Sequence, residues 1–271
     1  MAKNLISIAG YDPSAGAGVL LDIAVFEGLG HRGFGVLTAV TAQNAGRVDR
    51  VMPVTPRAVD GQFARLAEAV EISGIKAGML ATAANLSVVA GILAGRPGLP
   101  RVLDPVFRST SGTLLLRKPA WPRYLAALRG KADLITPNLD EAGILASGRV
   151  TTVAGMKDAA ERIAGAGRMA CLVKGGHLAN KAVDVLCDGQ DFTVFDHPRL
   201  DVGSVHGTGC YLSSAILAFM AEGRAVAEAC GLAIERIGAA IRDAVPAGGG
   251  RRVFDLSRER SRPRTRARKR R

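Results

Sequence analysis

The chain has little cysteine and little histidine, and neither residue is arranged to hold a metal or a set of disulfides. Its four cysteines include no Cys-x-x-Cys pair, and its four histidines share no metal-ligand spacing. Four cysteines in 271 residues are too few for a disulfide framework and favour a reducing compartment. The cysteines are Cys171, Cys187, Cys210 and Cys230. These absences exclude a small disulfide-stabilised domain and a zinc module.

Long hydrophobic runs are absent as well. No apolar stretch reaches the roughly 20 residues of a membrane span without an intervening glycine or charge. The N-terminus lacks the apolar segment of a secretory signal. We therefore expect a cytoplasmic protein that has no contact with a membrane. Only 4% of residues are aromatic, whereas 48% are hydrophobic and 33 are glycine, which suits a buried parallel sheet with glycine-rich loops.

Positive charge is concentrated at the C-terminus. Residues 251–271 contain ten arginines and one lysine but only two acidic residues, Asp255 and Glu259. This segment therefore carries +9 of the chain's net charge of +12. We predict one folded domain over residues 1–250 and a disordered, arginine-rich tail over residues 251–271. Such a tail binds nucleic acid or another acidic partner through phosphate contacts, or only solubilises the protein. The second interpretation is favoured, because no aromatic residue interleaves the arginines of residues 257–271 for base stacking.

Strand-like and helix-like patterns alternate along residues 5–244, and no repeat or linker interrupts them. This alternation predicts an α/β domain whose central sheet is mostly parallel, with helices on both faces. Strands are predicted at residues 5–9, 34–42, 75–79, 101–106, 132–136, 170–174, 182–187 and 191–195, and helices at residues 16–29, 57–72, 85–94, 120–129, 138–145, 152–166, 208–221 and 225–244. Gly10, Asp104, Asn138 and Gly175 lie at or just past the carboxyl ends of predicted strands, the edge where such sheets bind ligands.

The start of the helix at 208–221 is the most informative motif. Gly207, Thr208 and Gly209 precede Cys210 there, so unpaired backbone N–H groups and the helix dipole favour an anion such as a phosphate in transfer. The same field is expected to lower the pKa of Cys210, which would then act as a base near neutral pH. A glycine-rich turn with a buried structural cysteine is the alternative interpretation.

Two further motifs suit phosphate chemistry. Asn138 and Glu141 supply the oxygen ligands that Mg²⁺ accepts, although the same spacing is that of a helix capping box. Lys174, at a strand end before two glycines, is placed to reach a phosphate. Gln43 ends a strand and presents an amide to a heterocycle edge. Neither a dinucleotide-binding fingerprint nor a P-loop is present. Together these motifs predict a phosphate-transfer cleft.

With these motifs, the chain resembles the hydroxymethylpyrimidine and phosphomethylpyrimidine kinases of thiamine biosynthesis, in the ribokinase-like superfamily. The resemblance spans residues 5 to about 245 in the family's order, and seven blocks make it specific. The blocks lie at residues 8–18, 41–44, 78–80, 103–112, 135–141, 174–177 and 206–210.

The resemblance implies a three-layer ribokinase-like fold and a kinase that uses ATP and Mg²⁺. The implied reaction transfers a phosphoryl group from ATP to 4-amino-5-hydroxymethyl-2-methylpyrimidine, to its monophosphate, or to both. By position, Cys210 is the base, and the backbone of Gly207, Thr208 and Gly209 holds the transferring phosphate. The remaining roles are pyrimidine binding by Gln43, with Gly10, Asp22, Met79 and Val106 in the same pocket, nucleotide binding by Lys174, Asn138 and Asp104, and magnesium binding by Asn138 and Glu141. Relatives are commonly homodimers.

The chain departs from the family around the acceptor site. Thr110 stands where a lysine is usual, Arg108 replaces an apolar residue, and Phe107 stands where methionine is common. We hypothesise that Arg108 supplies the positive charge that Thr110 lacks. The sequence is also compatible with two alternatives: a pyridoxal kinase, since that family shares the Gly-Thr-Gly-Cys pattern, and a catalytically weak relative that binds a ligand or nucleic acid.

Overall fold

A nine-stranded mixed sheet lies at the centre of the computed structural model, which describes residues 1–176, 182–198, 200, 202–248 and 250–261. Its strands are β1 (Asn4–Tyr11), β2 (Arg32–Gln43), β3 (Val48–Pro53), β4 (Gly74–Ala77), β5 (Arg101–Leu103), β6 (Leu134–Ile135), β7 (Ala170–Lys174), β8 (Ala182–Asp188) and β9 (Asp191–His197). The helices are α1 (Gly18–Gly28), α2 (Pro56–Ala69), α3 (Ala83–Ala94), α4 (Tyr124–Leu128), α5 (Leu139–Leu145), α6 (Val153–Gly167), α7 (Thr208–Ala221), α8 (Val226–Arg242) and α9 (Leu256–Ser261). Two short strands, β10 (Val245–Pro246) and β11 (Arg252–Val253), form a separate pair.

The strands follow the order β3-β2-β1-β4-β5-β6-β7-β8-β9. The six from β2 to β7 in this order run parallel, whereas β3, β8 and β9 each pair antiparallel with a neighbour. The carboxyl ends of the parallel strands therefore meet at one edge of the sheet. Loops that are far apart in the sequence reach that edge together.

Alternating side chains on each strand build one core on each face of the sheet. In β1, Leu5 packs with α1, α7 and α8, whereas Ile6 and Ile8 pack on the opposite face with α2, α3 and α6. In β7, Leu172 and Cys171 divide between the faces in the same way, as the two-residue period of a strand requires. The predicted three-layer arrangement is confirmed. In the described part of the chain, no helix is long and apolar enough to cross a membrane.

Within residues 1–244, the main differences from the sequence prediction concern three elements. Strand β3 was not predicted, because it is an edge strand whose side chains are at most partly buried and show no apolar alternation. The helix predicted at residues 120–129 is a 3₁₀ turn over Lys118–Arg123 followed by the short α4. Pro122 lies inside this turn and lacks the N–H that a continuous α-helix needs. Strand β5 ends at Leu103, before Asp104 and Pro105.

The C-terminal boundary predicted at residue 250 is wrong. Phe254 is 4% exposed and packs on Tyr211 of α7, with ring centroids 4.6 Å apart. Glu259 of α9 is 1% exposed and pairs with the buried Arg236 of α8 at 2.6 Å. Residues 251–261 therefore belong to the folded domain, which corrects the prediction that they form a disordered tail. The other tail residues, 262–271, lie outside the described residues.

Candidate active site

The carboxyl ends of the parallel strands open into a cleft of about 2030 Å³. All but one of the predicted site residues line it. The residues that do so are Gly10, Gln43, Met79, Asp104, Val106, Asn138, Glu141, Lys174, Gly207, Thr208, Gly209 and Cys210. The exception, Asp22, is fully buried.

The start of α7 is shaped for an anion. Gly207 adopts a left-handed conformation (φ +83°), and a Cβ atom there would lie 2.0 Å from the carbonyl oxygen of Gly16, so only glycine fits. No side chain caps the helix, which leaves the N–H groups of its first turn available to a phosphate. A Cβ atom on Gly209 would meet the ammonium of Lys174 at 3.1 Å, so Lys174 and the helix start adjoin.

The Cys210 thiol lies in the first turn of α7 and accepts a hydrogen bond from the backbone N–H of Gly18. Burial raises its pKa to about 12, and the attraction of Lys76 offsets only part of that effect. The expected lowering of this pKa by the helix start is therefore wrong. At neutral pH the group is a thiol rather than a thiolate.

Asp104 and Lys174 form an ion pair beside the helix start. The Lys174 Nζ lies 3.1 Å from Asp104 Oδ1, and both side chains are largely buried. Although burial opposes ionisation, Lys174 and Lys76 hold the pKa of Asp104 below its usual value. The pair thus supplies one cation and one carboxylate at the place where a transferring phosphate would sit. His177, from the same motif as Lys174, lies outside the described residues.

Asn138 and Glu141 form the capping box that their spacing allows. The N–H of Glu141 donates to Asn138 Oδ1 at 2.9 Å, and the N–H of Asn138 donates to Glu141 Oε2 at 2.8 Å. The Glu141 carboxylate also accepts the N–H of Phe107. Burial raises the pKa of Glu141 to about 7, with Lys174 lowering it and Asp104 raising it.

Another end of the cleft is apolar. Met79 packs in a small cluster with Ala81, Leu115 and the partly buried Val106. A Cβ atom on Gly10 would lie 2.7 Å from the Met79 sulphur, so the glycine allows this side chain to lie against β1. This end of the cleft suits a flat heterocycle.

Asp12 and His206 form a contact that the sequence analysis did not identify. His206 Nε2 lies 3.1 Å from Asp12 Oδ2 and joins the first loop to the loop before α7. Although burial opposes ionisation, hydrogen bonds from His206 and Ser14 hold the pKa of Asp12 below its usual value. Gln43 also hydrogen-bonds to Asp12. Asp12 lies within the block at residues 8–18, which was its only sequence signal.

Asp22 lies behind the cleft, which corrects its predicted place in the substrate pocket. Its Oδ1 accepts hydrogen bonds from Lys76 Nζ at 2.5 Å and from Ser214 Oγ at 2.9 Å, and its Oδ2 accepts one from Ser7 Oγ at 2.5 Å. Lys76 Nζ also lies 3.4 Å from the Cys210 carbonyl oxygen. This network ties α1, β1 and β4 to the first turns of α7. Its sequence signal is a lysine within the apolar strand β4.

Replacing the lysine of this network is expected to destabilise the protein strongly. Lys76→Met leaves the fully buried Asp22 carboxylate without its cation, which typically costs about 3–5 kcal/mol. Urea denaturation followed by circular dichroism measures the loss. The exposed Lys118 gives the matched control, and Lys118→Met is expected to change the unfolding free energy by less than about 0.5 kcal/mol. Equal stability of the two variants would contradict the assignment.

Comparisons with known proteins agree with this geometry. A family model described as phosphomethylpyrimidine kinase matches residues 12–255. A hydroxymethylpyrimidine/phosphomethylpyrimidine kinase of Streptomyces coelicolor is 38% identical over 246 residues, which cover 91% of each chain.

Solved structures are also similar over most of the chain, among them two kinases. The pyridoxal kinase from Staphylococcus aureus in complex with AMP-PCP matches with a TM-score of 0.86 and 28% identity, covering 94% of each chain. The phosphomethylpyrimidine kinase from Clostridium difficile 630 matches with a TM-score of 0.78 and 33% identity, covering 88% of this chain and 99% of the other. The complex with AMP-PCP, an ATP analogue, implies ATP use by kinases related to this chain.

Proposed function

The chain belongs to the phosphomethylpyrimidine kinase family and is a kinase, and we propose that it phosphorylates 4-amino-5-hydroxymethyl-2-methylpyrimidine and its monophosphate in thiamine biosynthesis. The observation that supports this best is one end of the cleft, where the uncapped start of α7, Cys210 and the Asp104–Lys174 pair lie together. The apolar end with Gln43 and Met79 faces the same space and suits the pyrimidine.

The two phosphorylations differ in what they require of the protein. In the first, the hydroxymethyl oxygen forms a bond to the γ-phosphorus of ATP, the bond from that phosphorus to ADP breaks, and the hydroxyl proton must go to a base. In the second, an oxygen of the monophosphate attacks, and near neutral pH that group is already ionised. Only the first step therefore needs a general base.

Different residues of the cleft bind the phosphates, accept the proton and bind the pyrimidine. The N–H groups at Gly207, Thr208 and Gly209 hold the phosphoryl group in transfer, and Lys174 stabilises its charge. Cys210 accepts the hydroxyl proton in the first step. Gln43 hydrogen-bonds the aminopyrimidine, with Gly10, Met79 and Val106 around the ring. Asp104 and Asn138 lie beside the nucleotide phosphates.

The residues near Lys174 fit a magnesium ion held mainly through water. The Glu141 carboxylate and the Asn138 amide oxygen already accept backbone hydrogen bonds, which leaves each with part of its capacity as a ligand. Mutual repulsion between Asp104 and Glu141 contributes to the raised pKa of Glu141, and a cation between them would relieve it. When bound, Mg²⁺ would neutralise phosphate charge, and substrate oxygens and waters would complete its coordination shell.

An assay of ADP production with three acceptors tests the proposal. Purified protein with ATP and Mg²⁺ is given the hydroxymethylpyrimidine, its monophosphate or pyridoxal. Turnover of either pyrimidine supports the proposed function and shows which step occurs. Turnover of pyridoxal alone would contradict it and favour the pyridoxal kinase function, for which the structural similarity to a pyridoxal kinase is the supporting observation.

The pH dependence of the first step provides a separate test. Because the pKa of the Cys210 thiol is raised to about 12, the thiolate fraction increases tenfold per pH unit across the neutral range. We expect kcat/KM for the hydroxymethylpyrimidine to rise about tenfold per unit from pH 7 to 9. The monophosphate should show no such rise, and a flat profile for both acceptors would argue against a thiolate base.

We further propose a homodimer located in the cytoplasm, as the family resemblance suggests. Sedimentation velocity at several protein concentrations tests the dimer. The nucleic-acid or acidic partner of the tail stays a prediction, because residues 262–271 lie outside the described residues.

A further inference from the structure

Arg108 lines the cleft on the loop that follows β5, and its side chain is held in place by aromatic contacts. Its guanidinium lies 5.2 Å from the centre of the Trp121 ring, within the range of a cation–π contact. The indole is fixed in turn, because Trp121 Nε1 donates to the carbonyl oxygen of Leu116 at 2.9 Å. The arginine therefore rests on a rigid surface.

The root of this loop is also anchored. Phe107 is 1% exposed and stacks on Trp121 with ring centroids 5.3 Å apart. Its backbone N–H donates to the Glu141 carboxylate. A bridge between Arg108 and Leu114 closes the loop, with the Ser109 N–H donating to the Thr113 carbonyl at 2.9 Å.

Arg108 has no carboxylate partner within the part of the chain that the structure describes. This distinguishes it from Lys174, whose charge is paired with Asp104. A fixed and unpaired guanidinium on the wall of a cleft is suited to an anionic group of a ligand, which it binds with two parallel hydrogen bonds.

The position of the loop indicates which ligand. Val106 and Leu115 flank the loop, and both pack in the cluster that holds Met79. Arg108 therefore belongs to the apolar end of the cleft, where the acceptor pyrimidine is proposed to bind. It does not belong to the start of α7, where Lys174 adjoins Gly209. An anion at the acceptor end is the phosphate of a phosphorylated pyrimidine.

We infer that Arg108 binds the phosphate of the monophosphorylated pyrimidine and makes the enzyme favour the second phosphorylation over the first. The inference rests on the proposed function, since it assigns a preference between that function's two acceptors. In the second step, an acceptor phosphate oxygen bonds to the γ-phosphorus of ATP while the bond to the ADP oxygen breaks. The electron pair leaves with ADP, and no proton is transferred.

The test compares kcat/KM for the monophosphate and for the hydroxymethylpyrimidine at saturating ATP. Arg108→Gln should lower the monophosphate-to-alcohol ratio by about 10- to 100-fold, the effect of losing one charge-assisted hydrogen-bonding partner. Arg108→Lys keeps the charge without the planar fork and should fall between wild type and Arg108→Gln. Trp121→Phe should lower the ratio by a smaller factor. The matched control is Arg117→Gln, an exposed arginine of the same region that does not line the cleft, and its ratio should not change.

Equal losses for both acceptors, an unchanged ratio, or a rise confined to the KM for ATP would overturn the inference. Calorimetric binding of the two pyrimidines without ATP gives a readout independent of turnover. There, Arg108→Gln should weaken binding of the monophosphate alone. Wild-type protein that turns over neither pyrimidine would contradict the proposed function. The binding experiment would still decide whether Arg108 recognises the phosphate.

Discussion

Cys210→Ala is expected to abolish most turnover of the hydroxymethylpyrimidine while sparing turnover of its monophosphate. Loss of a general base typically lowers a rate by about 10²- to 10⁴-fold, and the alcohol cannot attack without losing its proton. The monophosphate oxygen is already ionised, so its transfer depends on the N–H groups of α7 and on Lys174, which the variant retains. We expect less than a tenfold loss in kcat/KM for that acceptor, measured under the same ATP and Mg²⁺ conditions.

Two further variants make this prediction specific. Cys230→Ala removes a buried thiol of α8 that lies outside the cleft and should leave both activities within about twofold of wild type. Cys210→Ser keeps the size and polarity of the side chain but not its thiolate, so it should behave like Cys210→Ala. An equal loss on both acceptors would mean that Cys210 positions the helix start rather than accepting a proton.

The sheet and most of the cleft were predictable because they follow from local pattern. Short apolar runs that end at glycines marked β1 and β7, and an apolar helical pattern after the Gly-Thr-Gly motif marked α7. Since the carboxyl ends of parallel strands meet at one edge, residues such as Asp104, Asn138 and Lys174 were brought into one cleft by topology alone.

What sequence reasoning missed depends on contacts between distant parts of the chain. The pKa of Cys210 is set by burial and by Lys76, Asp22 and Asp104, none of which is its neighbour in sequence. Lys76 itself looked like an ordinary strand residue, because only its contact with Asp22 on α1 explains a buried cation in β4.

The C-terminal segment was misjudged for a related reason. Its composition is dominated by positive charge. The roles of Phe254 and Glu259 become clear only from their burial against the folded core. The acidic residue is the partner of a buried arginine on α8 and not a solvent-exposed charge. Local composition therefore describes residues 251–261 poorly.

Deleting residues 251–271 is expected to unfold the protein. The deletion leaves Arg236 buried without Glu259, which typically costs about 3–5 kcal/mol, and removes the packing of Phe254, worth about as much. Their sum is comparable to the whole stability of many domains, roughly 5–15 kcal/mol. A disordered segment could be removed without loss of turnover, so this outcome would distinguish the observed packing from the tail that the sequence predicted for residues 251–271. Thermal unfolding and the yield of soluble protein measure the effect.

The same segment also supports the active site, so a shorter deletion separates the two halves of the tail. The carbonyl oxygen of Arg252 accepts the N–H of His206 at 2.8 Å, and the backbone N–H of Arg252 donates to the carbonyl oxygen of Ser204 at 3.1 Å. These two bonds fix the loop before α7. Deleting only residues 262–271 retains these contacts, together with Phe254 and Glu259. That variant should unfold within about 2 °C of the full chain and keep its kcat, whereas Glu259→Gln in the full chain should lose stability. If the two deletions behaved alike, residues 251–261 would not have the structural role that their burial indicates.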